Sequence, residues 1–264
     1  MARYRDAFHR KHRFYLLVWQ LAIADIGLFV CQLVVAVPLS AAGASIYGDG
    51  WLLIGLSSLD TLFFPIGVLT SFLIALNRFA CFVWPALYKL LFERPATILA
   101  LLASIWVFAV AKLAATLLHH PKKFSAESFV FYFDFEHHRE TDFSSEAAAI
   151  DYSLRLATRW LPSCSLAMYL TIYLYLKLKK SCTSMIDERF NLEKSLLLQS
   201  LIICTLCQVE ILAFGYARQI RRCGCAATGK CFLGGLLMNC IVILNSAVDP
   251  YVFLVFNSAI RMHA

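Results

Sequence analysis

Six ionisable side chains stand inside otherwise apolar stretches of the chain: Asp25, Asp60, Arg78, Lys112, Glu210 and Asp249. Three amides, Asn77, Asn239 and Asn245, accompany them. A charge in hydrocarbon costs several kcal/mol unless it meets a partner or water, so such residues mark a bundle interior or a functional path. Asn245 and Ser246 lie one turn before Asp249, at i, i+4 and i, i+3, and therefore share its helical face. Pro250 follows at once and is expected to kink that helix. A kinked helix that carries Asn245, Ser246 and Asp249 towards Asp25 has two readings. It is a polar core that holds water or a sodium ion, or it is a hydrogen-bonded clasp that only fixes helix packing. No nucleophile triad, glycine-rich phosphate loop, zinc-ligand spacing or basic nucleic-acid stripe is present. Neither an enzyme, a cofactor, a metal site nor a nucleic-acid partner is expected.

The elements that position these residues must be membrane helices. Of 264 residues, 60% are hydrophobic and only 16% charged, with mean hydropathy +0.69. Soluble domains carry about 25% charged residues. A water-soluble globule of this size could not hide so much apolar surface, whereas lipid is itself an apolar solvent. Six runs approach the roughly 20 apolar residues that a span needs: Phe14–Leu39, Leu59–Trp84, Ala96–Leu118, Trp160–Leu176, Leu196–Ala217 and Phe232–Phe256. Each is expected to be helical, because lipid offers no partner to a free backbone N–H or C=O. The first run is too long for a signal-peptide core and carries Asp25, so it reads as a retained span. The chain reads as one all-α bundle with no linker and no internal repeat.

Lys and Arg in short loops set orientation. With the N-terminus inside, the inner segments hold Arg3, Arg5, Arg10, Lys11 and Arg13, then Arg78, Lys89 and Arg94, then Lys177, Lys179, Lys180, Arg189 and Lys194, then Arg261. The outer loops hold far fewer: Lys122, Lys123, Arg139, Arg221, Arg222 and Lys230. Both termini are therefore expected in the cytoplasm, as the chain stands. The largest outer loop, 119–159, has room for a lid or a short hairpin. Of ten cysteines, Cys223, Cys225 and Cys231 cluster in the last outer loop, where one disulfide is expected and its pairing stays open.

The stretch Asn77-Arg78-Phe79-Ala80-Cys81-Phe82-Val83-Trp84-Pro85-Ala86-Leu87-Tyr88 resembles the Asp-Arg-Tyr motif of rhodopsin-like G-protein-coupled receptors, with its Pro and Tyr at the family spacing. The variant opening Asn-Arg-Phe is similar to nematode serpentine chemosensory receptors, classes x, v or t. Leu21 to Asp25 resembles the family's second-helix motif, Trp106 its fourth-helix tryptophan and Pro162 its fifth-helix proline. Asn245 to Pro250 resembles the seventh-helix Asn-Ser-x-x-Asn/Asp-Pro motif. The likeness covers helices two to seven, so it implies a seven-transmembrane receptor bundle with six spans present. Three features depart from the family: the first helix, the cysteine at the outer end of the third helix, where Leu53 lies, and the sixth-helix Cys-Trp-x-Pro motif are missing.

The resemblance implies an extracellular small-molecule ligand, a heterotrimeric G protein at the cytoplasmic face and residence in the plasma membrane. It implies coupling and switching by Asn77, Arg78, Phe79, Pro85 and Tyr88, around a polar centre of Asp25, Asn245, Ser246, Asp249 and Pro250. Arg78 alone would otherwise read as a juxtamembrane arginine snorkelling to the interface. Asp60 precedes Arg78 by eighteen residues, five turns, so the two share a face about 27 Å apart. Asp60 coincides with the position where amine receptors hold an aspartate, though a helix N-terminus also favours an acid. With Phe64, Lys112, Glu210 and Asn239, it is a candidate for the ligand pocket, and each of these residues also fits simple packing. Two other readings stand beside it: a small transporter or channel, and a truncated receptor that does not signal.

Overall fold

In hydrocarbon a long apolar run has one low-energy form, the helix, in which every backbone N–H and C=O closes within the segment. The computed structural model, which describes residues 2–42, 46–47, 51–119, 122–125, 130–133, 145–182, 187–222 and 237–248, follows that rule. A first rod runs through α1 (Ala2–Cys31), a π-helical turn (Gln32–Ala36) and α2 (Val37–Ala42). Then come α3 (Trp51–Phe82), α4 (Pro85–Leu91), α5 (Pro95–His119), a hairpin of β1 (Lys122–Ser125) and β2 (Val130–Phe133), α6 (Ser145–Cys182) and α7 (Asp187–Arg222). The last described helix, α8, covers Leu237–Val248.

Four segments are long and apolar enough to cross a membrane: Phe14–Leu39, Trp51–Phe82, Pro95–Leu117 and Thr158–Lys179. Two shorter apolar segments, Ser200–Ala213 and Leu237–Val248, lie inside the fifth and sixth expected runs. The first run keeps its expected bounds. The helices that hold the fourth and fifth runs, α6 and α7, extend well beyond their apolar segments. The helix that carries the second run, α3, begins at Trp51, before Leu59, and the Ser57 hydroxyl donates to the Ile54 carbonyl (3.2 Å). α6 begins at Ser145, well inside the stretch expected as loop, and the hairpin occupies another part of that stretch. Helicity needs only backbone hydrogen bonds and so does not stop where the lipid does.

α3 is the central rod. It packs against α1 on one side, α5 on another, and α6 with α7 on a third. One core joins α1, α3, α4 and α5 through Leu17, Leu21, Ala24, Ile66, Leu73, Ile74, Phe92, Ile98 and Leu102. A second joins α3 to α6 and α7 through Ala75, Tyr169, Ile172, Leu197 and Cys204. A third closes the far end of the α1–α3 contact with Val35, Leu39, Leu53, Leu56 and Tyr47. The rods approach closely where a side chain is missing. A Cβ on Gly27 would fall 2.6 Å from the Phe63 ring, so that ring lies flat on the glycine.

Large apolar side chains cover the outside. Trp19, Ile23, Ile26 and Val30 repeat at i, i+4, i+7 and i+11 along α1, and Val107 on α5 is 70% exposed. A water-exposed stripe of this length would aggregate, while hydrocarbon solvates it.

Candidate functional site

The helix register sorts the interior polar residues into three depths along α3. α1 and α3 run antiparallel. Ala24 and Asp25 face Gly67, Gly27 faces Phe63, and Val35 and Leu39 face Leu53.

The first layer surrounds Arg78. Asn77 is buried beside it and Ala80 is wholly buried a half-turn on, so α3 is locked in rotation at this point. The Arg78 guanidinium carbon lies 4.8 Å from the centroid of the Phe14 ring on α1. A guanidinium over an aromatic face gains about 0.5–2 kcal/mol, more as water is withdrawn. Arg78 is also close enough to Tyr169 of α6 to act on it electrostatically, and a side-chain hydrogen bond joins Tyr169 to Ser200 of α7. The cation on α3 thus acts on two other helices, α1 and α6, and reaches a third, α7, through a hydroxyl. Phe79 packs into the second core, among α6 and α7 residues. Pro85 occupies the first turn of α4, where its fixed φ suits a helix start and no N–H is wasted. Tyr88 packs on the first core, its ring 6.0 Å from that of Phe92. At the end of α6, Lys179 Nζ lies 5.7 Å from the Tyr175 ring centroid.

The second layer lies about 15 Å further along. Asp25 is buried (5% exposed), with Oδ1 4.0 Å from where a Gly67 Cβ would stand. Gly67 is eleven residues from Arg78, about 16 Å of rise. Glu210 is ten residues from Ser200, about 15 Å, and therefore has the same depth. It is 2% exposed and accepts a hydrogen bond from Asn245 Nδ2 on α8. Ser163 Oγ of α6 donates to Gln208 Oε1 of α7 (2.9 Å) two residues below it, which confirms the register of those helices. Ser246 spends its hydroxyl on the Val242 carbonyl of its own helix (3.0 Å). Glu210, a candidate for the ligand pocket, thus meets Asn245, an expected member of the polar centre. Asp249 and Pro250, the other expected members, lie outside the described residues. Among the described residues, no group of three or more His, Cys, Asp or Glu could hold a metal ion.

The third layer holds Asp60, half-buried and accepting from Thr61 Oγ1 (3.1 Å). Phe64 follows it by one turn on the same face. Lys112 on α5 and Asn239 on α8 are half-buried. Cys223, Cys225 and Cys231 lie outside the described residues.

Several interior contacts involve residues that the motifs do not pick out. Trp106 Nε1 donates to Gln20 Oε1 (2.9 Å), tying α5 to α1. Phe14, Tyr169 and Ser200 complete the surroundings of Arg78. Gln20 and Gln32 carried a readable signal, since an amide within an apolar run needs a partner. Tyr169 and Ser200 carried little, because both are common in membrane helices.

A bundle of apolar rods around layered polar contacts, with an arginine set between helices at one end, is the architecture of a seven-transmembrane receptor. A model of the serpentine type 7TM GPCR chemoreceptor Srx family matches residues 3–257, and the chain belongs to that family. It is an integral membrane protein of a receptor class, not an enzyme class. A comparison with curated proteins finds no match.

Proposed function

We propose that the chain binds an extracellular small molecule and activates a heterotrimeric G protein. The observation that carries this reading is the setting of Arg78, stacked on Phe14 and electrostatically coupled to Tyr169, which is bonded to Ser200. A cation shared among α1, α3, α6 and α7 responds when those helices shift against each other. The Arg78 end faces the cytoplasm on this reading, since the basic segments cluster there, and Asn77, Phe79, Pro85 and Tyr88 shape the coupling surface. Asp25, Asn245 and Ser246 form the polar centre, which Glu210 joins through Asn245; Asp249 and Pro250, its other expected members, lie outside the described residues. Asp60, Phe64, Lys112 and Asn239 line the pocket at the far end. A ligand shifts such a bundle only by binding one arrangement better than the other.

The test is ligand-stimulated nucleotide exchange in cells that express the full chain, read over a panel of small volatile and water-soluble molecules. Arg78→Ala should abolish the response while the protein still reaches the membrane. A response that survives Arg78→Ala unchanged removes the role given to Arg78.

A further inference from the structure

Three features of the contact between the first rod and α3 change at about one depth. The first lies in α3. Pro65 stands inside this helix and is wholly buried. A proline has no N–H, so the Thr61 carbonyl loses its intrahelical donor and the helix bends most readily there. The second lies in the first rod, where the π turn Gln32–Ala36 interrupts the α pattern and the Val37 N–H bonds back to the Gln32 carbonyl. Such turns are also sites of helix bending. The rods pair Phe14 with Arg78, Asp25 with Gly67 and Gly27 with Phe63. Continued outward, that register sets Thr61 level with the turn just before Gln32.

The third feature is the apolar core, which divides at the same place. On α3 the core shared with α1 and α5 reaches as far as Leu62, while a separate core at the far end takes Leu56 and Leu53. On the first rod the one core ends at Ala24 and the other begins at Val35. Between the two cores α3 carries four polar side chains, Ser57, Ser58, Asp60 and Thr61. Beyond this seam the far end is tied to itself. Pro38 of α2 takes the intrahelical donor from the Val34 carbonyl, as Pro65 does from Thr61, but the Tyr47 hydroxyl donates to Val34 instead (2.6 Å). Val35, Leu39 and Leu53 close their core with Tyr47 and Leu56, and among the described residues α5, α6, α7 and α8 add nothing to it.

We propose that the end of the first rod, from Gln32 onward, and the start of α3, up to Thr61, form one rigid flap that swings against the rest of the bundle. Pro65 is its pivot on α3, and the π turn is its pivot on the first rod. A hinge needs only a few residues to absorb the change in φ and ψ. The inner half of α3 does not follow, because two cores clasp it: Leu73 and Ile74 stand in one, Ala75 and Phe79 in the other. The motion follows from the backbone and the divided core. Its use, to open and close the way to the ligand, rests on the reading of the chain as a receptor.

The experiment uses the full chain in lipid nanodiscs without ligand. Spin labels are carried on a genetically encoded ketone amino acid, which leaves the ten cysteines untouched. One pair, Leu52 on the flap and Val107 on α5, crosses the seam; a second, Val107 and Leu170 on α6, lies within the body, and all three positions are exposed. Pulsed distance measurements should give a broad distribution for the first pair and a narrow one for the second. Pro65→Ala returns an N–H to the Thr61 carbonyl and should narrow the first distribution to the width of the second. Amide hydrogen exchange over Leu52–Leu59 should stay slow, because a swinging flap keeps its helix and a frayed end does not. If the pair across the seam is as narrow as the body pair in the wild-type chain, there is no flap. If Pro65→Ala leaves it broad, Pro65 is not the pivot. Fast exchange over Leu52–Leu59 means fraying and overturns the flap as well. None of these results touches the receptor reading, which is decided by nucleotide exchange and Arg78→Ala.

Discussion

Single residues set the tightest tolerances in this bundle. Gly27 is the sharpest case, because even a methyl group there would meet the Phe63 ring at 2.6 Å. Three ring atoms lie at that distance, so a small torsion of Phe63 gives no relief. Gly27→Ala is expected to lower stability by about 1–3 kcal/mol, and Phe63→Leu in the same chain should recover much of the loss. Thermal melts of the two single variants and the double variant in nanodiscs check this, and equal losses for Gly27→Ala in both backgrounds would refute it. At the other end of α3, Tyr169→Phe and Ser200→Ala each remove one side of the same hydrogen bond. Their effects on stability should therefore be strongly non-additive, the double variant losing little more than either single one. Arg78→Lys keeps the charge but not the planar group that stacks on Phe14, and should lower G-protein activation without abolishing it.

At the scale of elements, the informative contact is the one between α7 and α8, where Asn245 donates to Glu210. Hydrogen bonds between membrane helices contribute modestly, averaging about 0.6 kcal/mol. Breaking one side of a pair that includes a buried acid costs more, because the acid is left without its donor. Asn245→Leu should therefore destabilise the chain more than the same change made in a Glu210→Leu background. A double-mutant cycle measured by melting gives the difference, and additivity would show that the contact contributes nothing. The contact also shows where sequence reasoning stopped. Apolar run length pointed to the rods, and Arg78, Asp25 and Asn245 stand on α3, α1 and α8. That Asn245 is a partner of Glu210 was not legible, because hydropathy and motif spacing act along one helix at a time. Only a cross-helix contact fixes how one rod slides against the next. The π turn was equally hidden, since the Gln32 amide marks a need for a polar partner and not the backbone form of Gln32–Ala36.

For the molecule as a whole, a bilayer is required. Exposed Trp19, Val107, Trp160 and Leu178 have hydrocarbon as their only suitable surroundings. Burying apolar surface against a neighbour gains little when lipid is equally apolar, so close fit and polar contacts hold such a bundle together. The distribution of Lys and Arg makes the orientation testable. An epitope fused before Met1 should be reached by antibody only in permeabilised cells, and one placed between Ser125 and Val130 should be reached on intact cells. The reverse pattern would invert the bundle and move the proposed G-protein surface to the wrong side.

The π turn has a consequence for how such genes change length. An α-helix that gains one residue rotates everything beyond it by about 100°, which would swing Val35 and Leu39 off the α3 face. A π turn absorbs the extra residue locally and leaves the rest of the rod in phase. Loss of a single codon between Gln32 and Ala36 should therefore yield a chain that still folds, with a plain helix there and the orientation of Gln32 altered.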